Sequence, residues 1–206
     1  QRIQSAQADT ALAAVETFLE QNSDDEIAVS LYGTALLRSG DTVKALSTFE
    51  HAVSLYPDVP GTHANLAFVA MSTGDHKQAI ASYENAVRIA PDLYPAWVHL
   101  GKLYFETGDF EAALRATDKA EKLDPLEQDY LRMQAAMGAE KFAEAEEIAR
   151  SMLSKQTGHP RAALILARLA RNVGAHEERI DILNHGLAYH PANIDLRRAL
   201  VVAYEK

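Results

Sequence analysis

Three arginines in the C-terminal part of the sequence have the spacing of one helix face. Arg161, Arg168 and Arg171 are separated by seven and three residues, so a helix through this segment brings their side chains to one side. A guanidinium group binds a carboxylate through two parallel hydrogen bonds. The segment is therefore a candidate for the recognition of acidic groups.

No catalytic motif accompanies these arginines. The sequence has no HExxH, no glycine-rich phosphate loop and no GxSxG. It also has no cysteine, which excludes disulfides, thiolate metal sites and cysteine nucleophiles. The eight histidines are dispersed, and the spacing of His176 and His185 matches no metal-ligand pattern. We therefore expect a protein that is not an enzyme and that holds no metal and no cofactor.

The charge of the chain limits its partners. The 206 residues have a formal net charge of −9, which argues against general nucleic-acid binding, because that function needs a basic surface. Residues 1–103 have six Lys and Arg against twelve Asp and Glu, whereas residues 156–206 have seven against five. No apolar run approaches the ~20 residues that span a bilayer. The compartment is not fixed, and the lack of cysteine favours an exported or periplasmic protein over a cytoplasmic one.

The elements that position the arginines repeat along the chain. The pairs Gly40-Asp41, Gly74-Asp75 and Gly108-Asp109 recur with a period of about 34 residues, which is typical of small helical units that stack in one elongated array. Glycine tolerates the end of a helix and aspartate caps the start of the next. Strands are not expected, because period-two alternation is missing. Phe142 follows Phe110 two positions sooner than this period requires, which predicts a shortened first helix in that unit.

The segment Trp97-x-x-Leu100-Gly101-x-x-Tyr104, followed by Ala113, Ala120 and Pro125, resembles the tetratricopeptide repeat (TPR) signature. The resemblance implies an all-α fold, a right-handed α-solenoid of stacked antiparallel helix pairs. We predict a single TPR array over residues 1–206, and its close-to-consensus repeats favour a bacterial origin. Its parts are a partial repeat with its second helix at 8–21, repeats at 26–59, 60–93, 94–127, 128–159 and 160–193, and a terminal or capping helix at 194–206.

In TPR proteins the first helix of each repeat lines a concave groove. The positions that face the groove are apolar in the N-terminal half of this chain and basic in the C-terminal half. We therefore predict a non-catalytic scaffold for protein–protein interaction, which binds a peptide or protein segment with acidic and apolar parts. The predicted groove residues are Phe68, Met71, Lys102, Phe105, Arg132, Arg161, Arg168, Arg171 and Arg198.

Three other interpretations stay open. The arginines could pair with acidic side chains of adjacent repeats and only keep the surface soluble. The chain, which starts with Gln1 rather than methionine, could be the recognition or regulatory arm of a larger enzyme, such as a glycosyltransferase, sulfotransferase or hydroxylase. It could also assemble with itself into a homo-oligomer. The apolar face that predicts such assembly consists of Leu196, Leu200, Val201 and Tyr204.

Overall fold

The computed structural model describes residues 12–19, 25–120 and 124–205, and every regular element in these ranges is a helix. Residues 12–19 are helical and are labelled α1. The later helices are α2 (Glu26–Ser39), α3 (Thr42–Leu55), α4 (Pro60–Thr73), α5 (His76–Ile89), α6 (Tyr94–Thr107), α7 (Phe110–Lys119), α8 (Pro125–Gly138), α9 (Phe142–Lys155), α10 (Pro160–Asn172), α11 (His176–Tyr189) and α12 (Ile194–Tyr204).

The chain divides into two compact units, Gln1–Leu103 and Tyr104–Lys206, and the boundary falls within α6. In the first unit α2 packs on α3, α3 on α4 and α4 on α5. In the second unit the same holds from α7 to α12. Short turns join these helices, so each consecutive pair is antiparallel. The predicted fold class, an all-α solenoid of stacked helix pairs, is confirmed, while its handedness and its division into repeats stay predictions.

The Gly-Asp turns have the predicted geometry. Gly40 has a φ of +88°, in the left-handed region that an L-residue with a side chain rarely adopts, and its N–H donates to the carbonyl of Leu37. The carboxylate of Asp41 then accepts the N–H of Lys44 at the start of α3. Because two residues end one helix and start the next, paired helices lie close together from their first turn.

The turn before α9 is built differently. Glu140, with a φ of +58°, stands two residues before Phe142, the place that Gly108 has before Phe110. Lys141 follows it at the N-terminus of α9 and provides no side-chain cap. The turn therefore keeps its backbone shape without either of its usual residues.

The two-residue loss predicted for this part of the chain does not shorten the first helix. The first helix of that unit, α8, has 14 residues, as many as α6. The shortened first helix is thus a wrong prediction. The short element is the second helix before it, because α7 has 10 residues and α5 has 14. Residues 121–123, which follow α7, lie outside the described part of the chain.

Small residues let the paired helices approach closely. Ala45, Ala79 and Ala113 are completely buried at equivalent places in the second helices. On the first helix α2, the ring of Phe49 fills the space beside Gly33, so that a Cβ at this position would overlap it. Large side chains fill the gaps between these small residues. The largest that are almost completely buried include Leu36, Phe49, Leu100, Leu103, Met133, Met152, Leu183 and Leu196.

Trp97 anchors the turn before its own helix. Its Nε1 donates a hydrogen bond to the carbonyl of Pro91 over 2.9 Å. His63, at the equivalent place one repeat earlier, has its Nε2 at 2.8 Å from the carbonyl of Pro57. Two different rings thus make one contact at equivalent places, which assigns Trp97 a structural role rather than ligand stacking.

Candidate functional site

The predicted arginine face is present on α10. Arg161, Arg168 and Arg171 are exposed, while the opposite side of the helix is buried in the second unit through Ala163, Leu166, Ala167 and Ala170. The helix forms because its apolar residues recur every three or four positions. It starts at Pro160, which suits the first turn, where no N–H is needed. The two sides of α10 therefore have separate roles.

Arg161 is already engaged within the second unit. Its Nη1 lies 3.0 Å from Oε2 of Glu127 on α8. Its guanidinium carbon also lies 4.2 Å from the ring centre of Tyr130 on the same helix. These contacts hold the side chain against α8, so Arg161 is partly committed to joining two first helices.

Arg168 and Arg171 differ from Arg161, and we call these two residues the α10 arginine pair. Neither forms an ion pair with a described residue. Arg198, on the neighbouring helix α12, is exposed and also lacks an ion pair within the described ranges. The second unit therefore presents positive charge that its own described carboxylates do not neutralise.

Arg132, which was also predicted to face the groove, contacts carboxylates of two other helices. Its Nε is 2.8 Å from Oδ1 of Asp118 on α7, and its Nη2 is 3.7 Å from Oε1 of Glu144 on α9. The geometry at Nε makes an ion pair without a hydrogen bond. Counted back from the Glu140 turn, Arg132 corresponds to the buried Leu100, since each stands ten residues before the phenylalanine that starts the next helix. Arg132 therefore lies among carboxylates of two second helices.

Three other cations of the second unit are paired as well. Lys141 lies 2.9 Å from Glu111, and Lys155 lies 2.6 Å from Asp129. Arg150 contacts Glu146 at 2.8 Å and Glu178 at 3.4 Å. The solubility interpretation describes these exposed pairs, each with a contribution of ~0–1 kcal/mol. It does not describe the α10 arginine pair.

In the first unit an aromatic cluster joins α4, α5 and α6. The ring of His99 stacks on Tyr83 with centroids 5.2 Å apart and planes 5° apart. Phe68 meets the same imidazole edge-on at 6.5 Å and stays 49% exposed. Of the other predicted residues, Met71 is half-buried on α4 and Lys102 is exposed on α6. Phe68 thus contacts the cluster through His99 and still leaves about half of its side chain accessible.

Burial changes the acid–base properties of this cluster. It raises the pKa of Tyr83 to about 12. Burial, and then the positive charge of Lys102, lowers the pKa of His99 below its ordinary value of 6.5. Nδ1 of His99 is buried without a hydrogen-bond partner among the described residues. The imidazole is therefore held neutral at physiological pH.

Phe105 belongs to the second unit. Its ring lies 5.5 Å from that of Phe110, edge-on across the Gly108 turn, and the side chain is 37% exposed. The structure thus places it against the start of α7, and its predicted contact with a ligand stays a prediction.

A cavity of about 260 Å³ lies between α9, α10 and α11, and the sequence analysis did not predict it. Phe142 and Val173 line its mouth, both exposed, with Leu166, Leu169 and Ile182 behind them. The sequence does contain a signal for this site. Val173 directly precedes the turn glycine Gly174, and an apolar side chain is unusual at that place.

The apolar face expected at 194–206 is only partly exposed. Leu196 is completely buried and Leu200 packs against the same core cluster, so these two do not contribute to it. The exposed apolar side chains are instead Ile194, Val201, Val202 and Tyr204. With Arg197 and Arg198 they form what we call the α12 outer face. Five of these six residues, all except Tyr204, line a depression of about 560 Å³.

Two other kinds of feature are absent from the described part of the chain. It contains no group of three or more histidine, aspartate or glutamate side chains placed to hold a metal ion. None of its helices combines the length and the apolar composition needed to cross a membrane.

Two sequence models of the tetratricopeptide repeat match the chain, one over residues 2–60 and one over residues 70–137. Together they cover more than half of its length. No curated protein has a significant match to the sequence.

Several solved structures are similar. YrrB, described as a TPR protein with an unusual peptide-binding site, has 17% identity and a TM-score of 0.78 over 92% of this chain and 98% of its own. The C-terminal part of a TPR protein from Cytophaga hutchinsonii has 17% identity and a TM-score of 0.75 over 98% and 85%. MamA from Desulfovibrio magneticus RS-1 has 13% identity and a TM-score of 0.71 over 82% and 97%. At such identities the likeness is one of fold. Because the sequence models and these structures agree, the chain belongs to the tetratricopeptide repeat family.

Proposed function

We propose that this chain is a non-catalytic scaffold that binds peptide or protein segments through the exposed faces of its first helices. The TPR fold in general serves protein–protein interaction. YrrB, whose fold this chain shares, is described as having a peptide-binding site. The finer proposal is that the second unit takes an acidic stretch and the first unit takes an apolar one.

One observation carries the acidic part of the proposal. Arg168 and Arg171 are exposed on one face of α10 and have no ion pair among the described residues, whereas Arg132, Arg150 and Arg161 all have one. Two guanidinium groups without carboxylate partners are suited to bidentate binding of a ligand carboxylate. Arg198 on α12 extends the same positive surface. An acidic segment supplies the missing charge.

The apolar part of the proposal rests on Phe68. Its ring is edge-on to His99, so little side-chain freedom is left to lose when a ligand binds. Met71 lies three residues further along α4 and Lys102 lies on α6, next in the stack of first helices. A rigid aromatic side chain with an adaptable methionine nearby is a common composition of peptide-binding surfaces.

The test selects peptides from a random displayed library with the intact 206-residue chain and measures their affinity by fluorescence anisotropy. We expect the selected peptides to be rich in aspartate and glutamate. Arg168→Glu/Arg171→Glu is expected to raise the Kd by more than ~10-fold and to weaken the dependence on salt. The matched control is Arg88→Glu/Arg115→Glu, which makes the same charge change on the second helices α5 and α7.

Two results would contradict the proposal that the second unit binds an acidic segment. One is a set of selected peptides without an acidic bias, and the other is an equal loss of affinity in the arginine variant and its control. For the apolar part, Phe68→Ser is compared with wild type on peptides that contain leucine or phenylalanine. Unchanged affinity for these peptides, with circular dichroism showing a folded chain, would exclude Phe68 from the binding surface.

A further inference from the structure

Two apolar depressions lie side by side between the second helices α9 and α11, with α10 as their floor. The first is the cavity of about 260 Å³ described above, and the second has a volume of about 230 Å³. Ile182 on α11 lines both, and we call the two together the α9–α11 furrow. Beyond Ile182, the residues that line the second depression include Leu153, Ala163, Asp181 and His185.

The furrow lies between helices that have neighbours on both sides. The helix α9 packs on α8 and α10, and α11 packs on α10 and α12. Because α9 and α11 are each antiparallel to α10, they run in the same direction. On α10 the furrow residues Ala163, Leu166 and Ala170 lie about half a turn around the helix from Arg168. The furrow is therefore a surface separate from the α10 arginine pair.

A difference between two equivalent places accounts for the first depression. The ring of Phe110 on α7 fills the space beside Gly138 on α8, so that a Cβ there would overlap it. One repeat later Phe142 starts α9, and Asn172 has the place of Gly138, four residues before the next second helix begins. The side chain of Asn172 does not leave the same space for a ring. Phe142 is accordingly 44% exposed, with the depression beside it.

The described charged residues that line the furrow are mainly acidic. They are the carboxylates of Glu146, Glu178 and Asp181 and the guanidinium of Arg150. Arg150 already contacts Glu146 at 2.8 Å and Glu178 at 3.4 Å. Asp181 has no ion pair with a described residue. Negative charge therefore remains along the furrow, in a chain whose net charge of −9 has the same sign.

We propose that the α9–α11 furrow binds a basic amphipathic helix of another protein through two large apolar side chains. Glu178 lines the first depression and His185 the second, and two helix turns, about 10 Å, separate these residues. In the bound helix the same distance separates residues seven positions apart. Each depression exceeds the ~150 Å³ that holds a benzene molecule, so each takes an aromatic side chain. Lysine or arginine side chains of the bound helix meet Glu178 and Asp181.

This proposal adds a second surface, with the opposite charge preference, to the peptide binding proposed above. Its test uses the 206-residue chain and a displayed library of helical peptides with randomised surfaces. Peptides that also bind Glu178→Lys/Asp181→Lys are removed, and the rest are selected on the wild type. We expect the selected peptides to be rich in lysine and arginine and to carry two large apolar residues seven positions apart.

Fluorescence anisotropy then measures the Kd of the selected peptides. Glu178→Lys/Asp181→Lys should raise it by more than ~10-fold, and added salt should weaken binding to the wild type. The matched control is Glu147→Lys/Glu177→Lys, which makes the same charge change at exposed places on α9 and α11 that do not line the furrow.

A second variant tests the apolar contact. Ala143 is exposed and lines the first depression, so Ala143→Trp should fill it and raise the Kd by more than ~10-fold, with unchanged helix content by circular dichroism. Arg168→Glu/Arg171→Glu should not weaken binding of these peptides, because the arginine pair lies on the other side of α10.

Three results would overturn the proposal. One is a selection whose peptides have no basic bias, and another is an equal loss of affinity in the lysine variant and its control. The third is self-association of the wild type, measured by sedimentation velocity, that Glu178→Lys/Asp181→Lys abolishes. That outcome would assign the furrow to a second copy of this chain.

Discussion

The imidazole of His99 lies flat against the phenol ring of Tyr83, with the ring centres 5.2 Å apart and the planes within 5°. The contact joins α5 to α6 and supports Phe68, an aromatic side chain that the first unit exposes. No carboxylate contributes to the shift of the pKa of His99, because its two causes, burial and Lys102, both favour the neutral ring. The cluster that positions Phe68 is therefore sensitive to acid.

This contact predicts a pH dependence of stability. The pKa of His99 in the folded chain is below its ordinary value of 6.5, so below that pH the unfolded chain takes up a proton more readily than the folded one. His99 therefore makes its full contribution to the free energy of unfolding above pH 6.5, and this contribution is lost as the pH falls below that value. The slope for one proton is at most about 1.4 kcal/mol per pH unit. Urea titrations of wild type and His99→Phe at several pH values measure it, and equal slopes would contradict the prediction.

His159 predicts a second, independent acid effect. Its Nδ1 accepts the N–H of Ala162 at the start of α10, over 3.4 Å, so it caps the helix that carries the arginine pair. Burial, Arg161 and His190 lower the pKa of His159. The cap requires an unprotonated Nδ1, so its stabilising effect is present above the ordinary pKa of 6.5 and is lost with acid.

The test for this cap is His159→Asn, because asparagine accepts the same N–H without a titrating ring. We expect the variant to keep its stability at about pH 8 and to lose less of it at about pH 5 than the wild type does. His159→Ala serves as the control and should cost ~1 kcal/mol at the higher pH through loss of the cap. If the asparagine and alanine variants behave alike at that pH, the capping role is wrong.

The close packing around Gly33 predicts that one added methyl group lowers the free energy of unfolding. An added Cβ would lie 2.7 Å from Cε2 of Phe49 and closer still to its Cζ, and this ring is almost completely buried. We expect Gly33→Ala to reduce the free energy of unfolding by about 1–3 kcal/mol through overpacking. The control is Gly61→Ala on α4, where no atom beyond the chain neighbours and the backbone of the helix itself lies within 4 Å of the added carbon. That substitution should be neutral or stabilise by up to ~1 kcal/mol, and a similar loss at both sites would contradict the packing argument.

The left-handed backbone conformation of Glu140 predicts that a glycine at this position would stabilise the fold. Its φ of +58° is a left-handed conformation that costs a residue with a Cβ roughly 1–2 kcal/mol. Gly108 has the same place in another turn. Glu140→Gly should therefore raise the free energy of unfolding by about 1 kcal/mol in a chemical denaturation experiment. Glu140→Ala removes the carboxylate but keeps the Cβ, so an equal gain in that variant would assign the effect to charge instead.

The register of α8 shows why the prediction of the site was incomplete. A two-residue deficit in the sequence can fall in either helix or in the turn, and periodicity alone does not choose between them. The structure places the two-residue deficit before α8, because α7 already ends at Lys119. Since successive residues turn by about 100° around a helix, an error of two positions moves a side chain to another face. Arg132 is accordingly found between Asp118 and Glu144.

The amino-acid sequence alone determined the class of fold, the Gly-Asp turns and the basic face of α10. These depend on local properties: the constant repeat period, the conformational freedom of glycine, the capping by aspartate and the spacing of side chains around a helix. Tertiary structure alone decided which charges are neutralised. Arg161 and Arg132 find carboxylates on other helices, while Arg168 and Arg171 find none among the described residues. Such pairing depends on distances between helices, and the sequence of a single helix does not contain them.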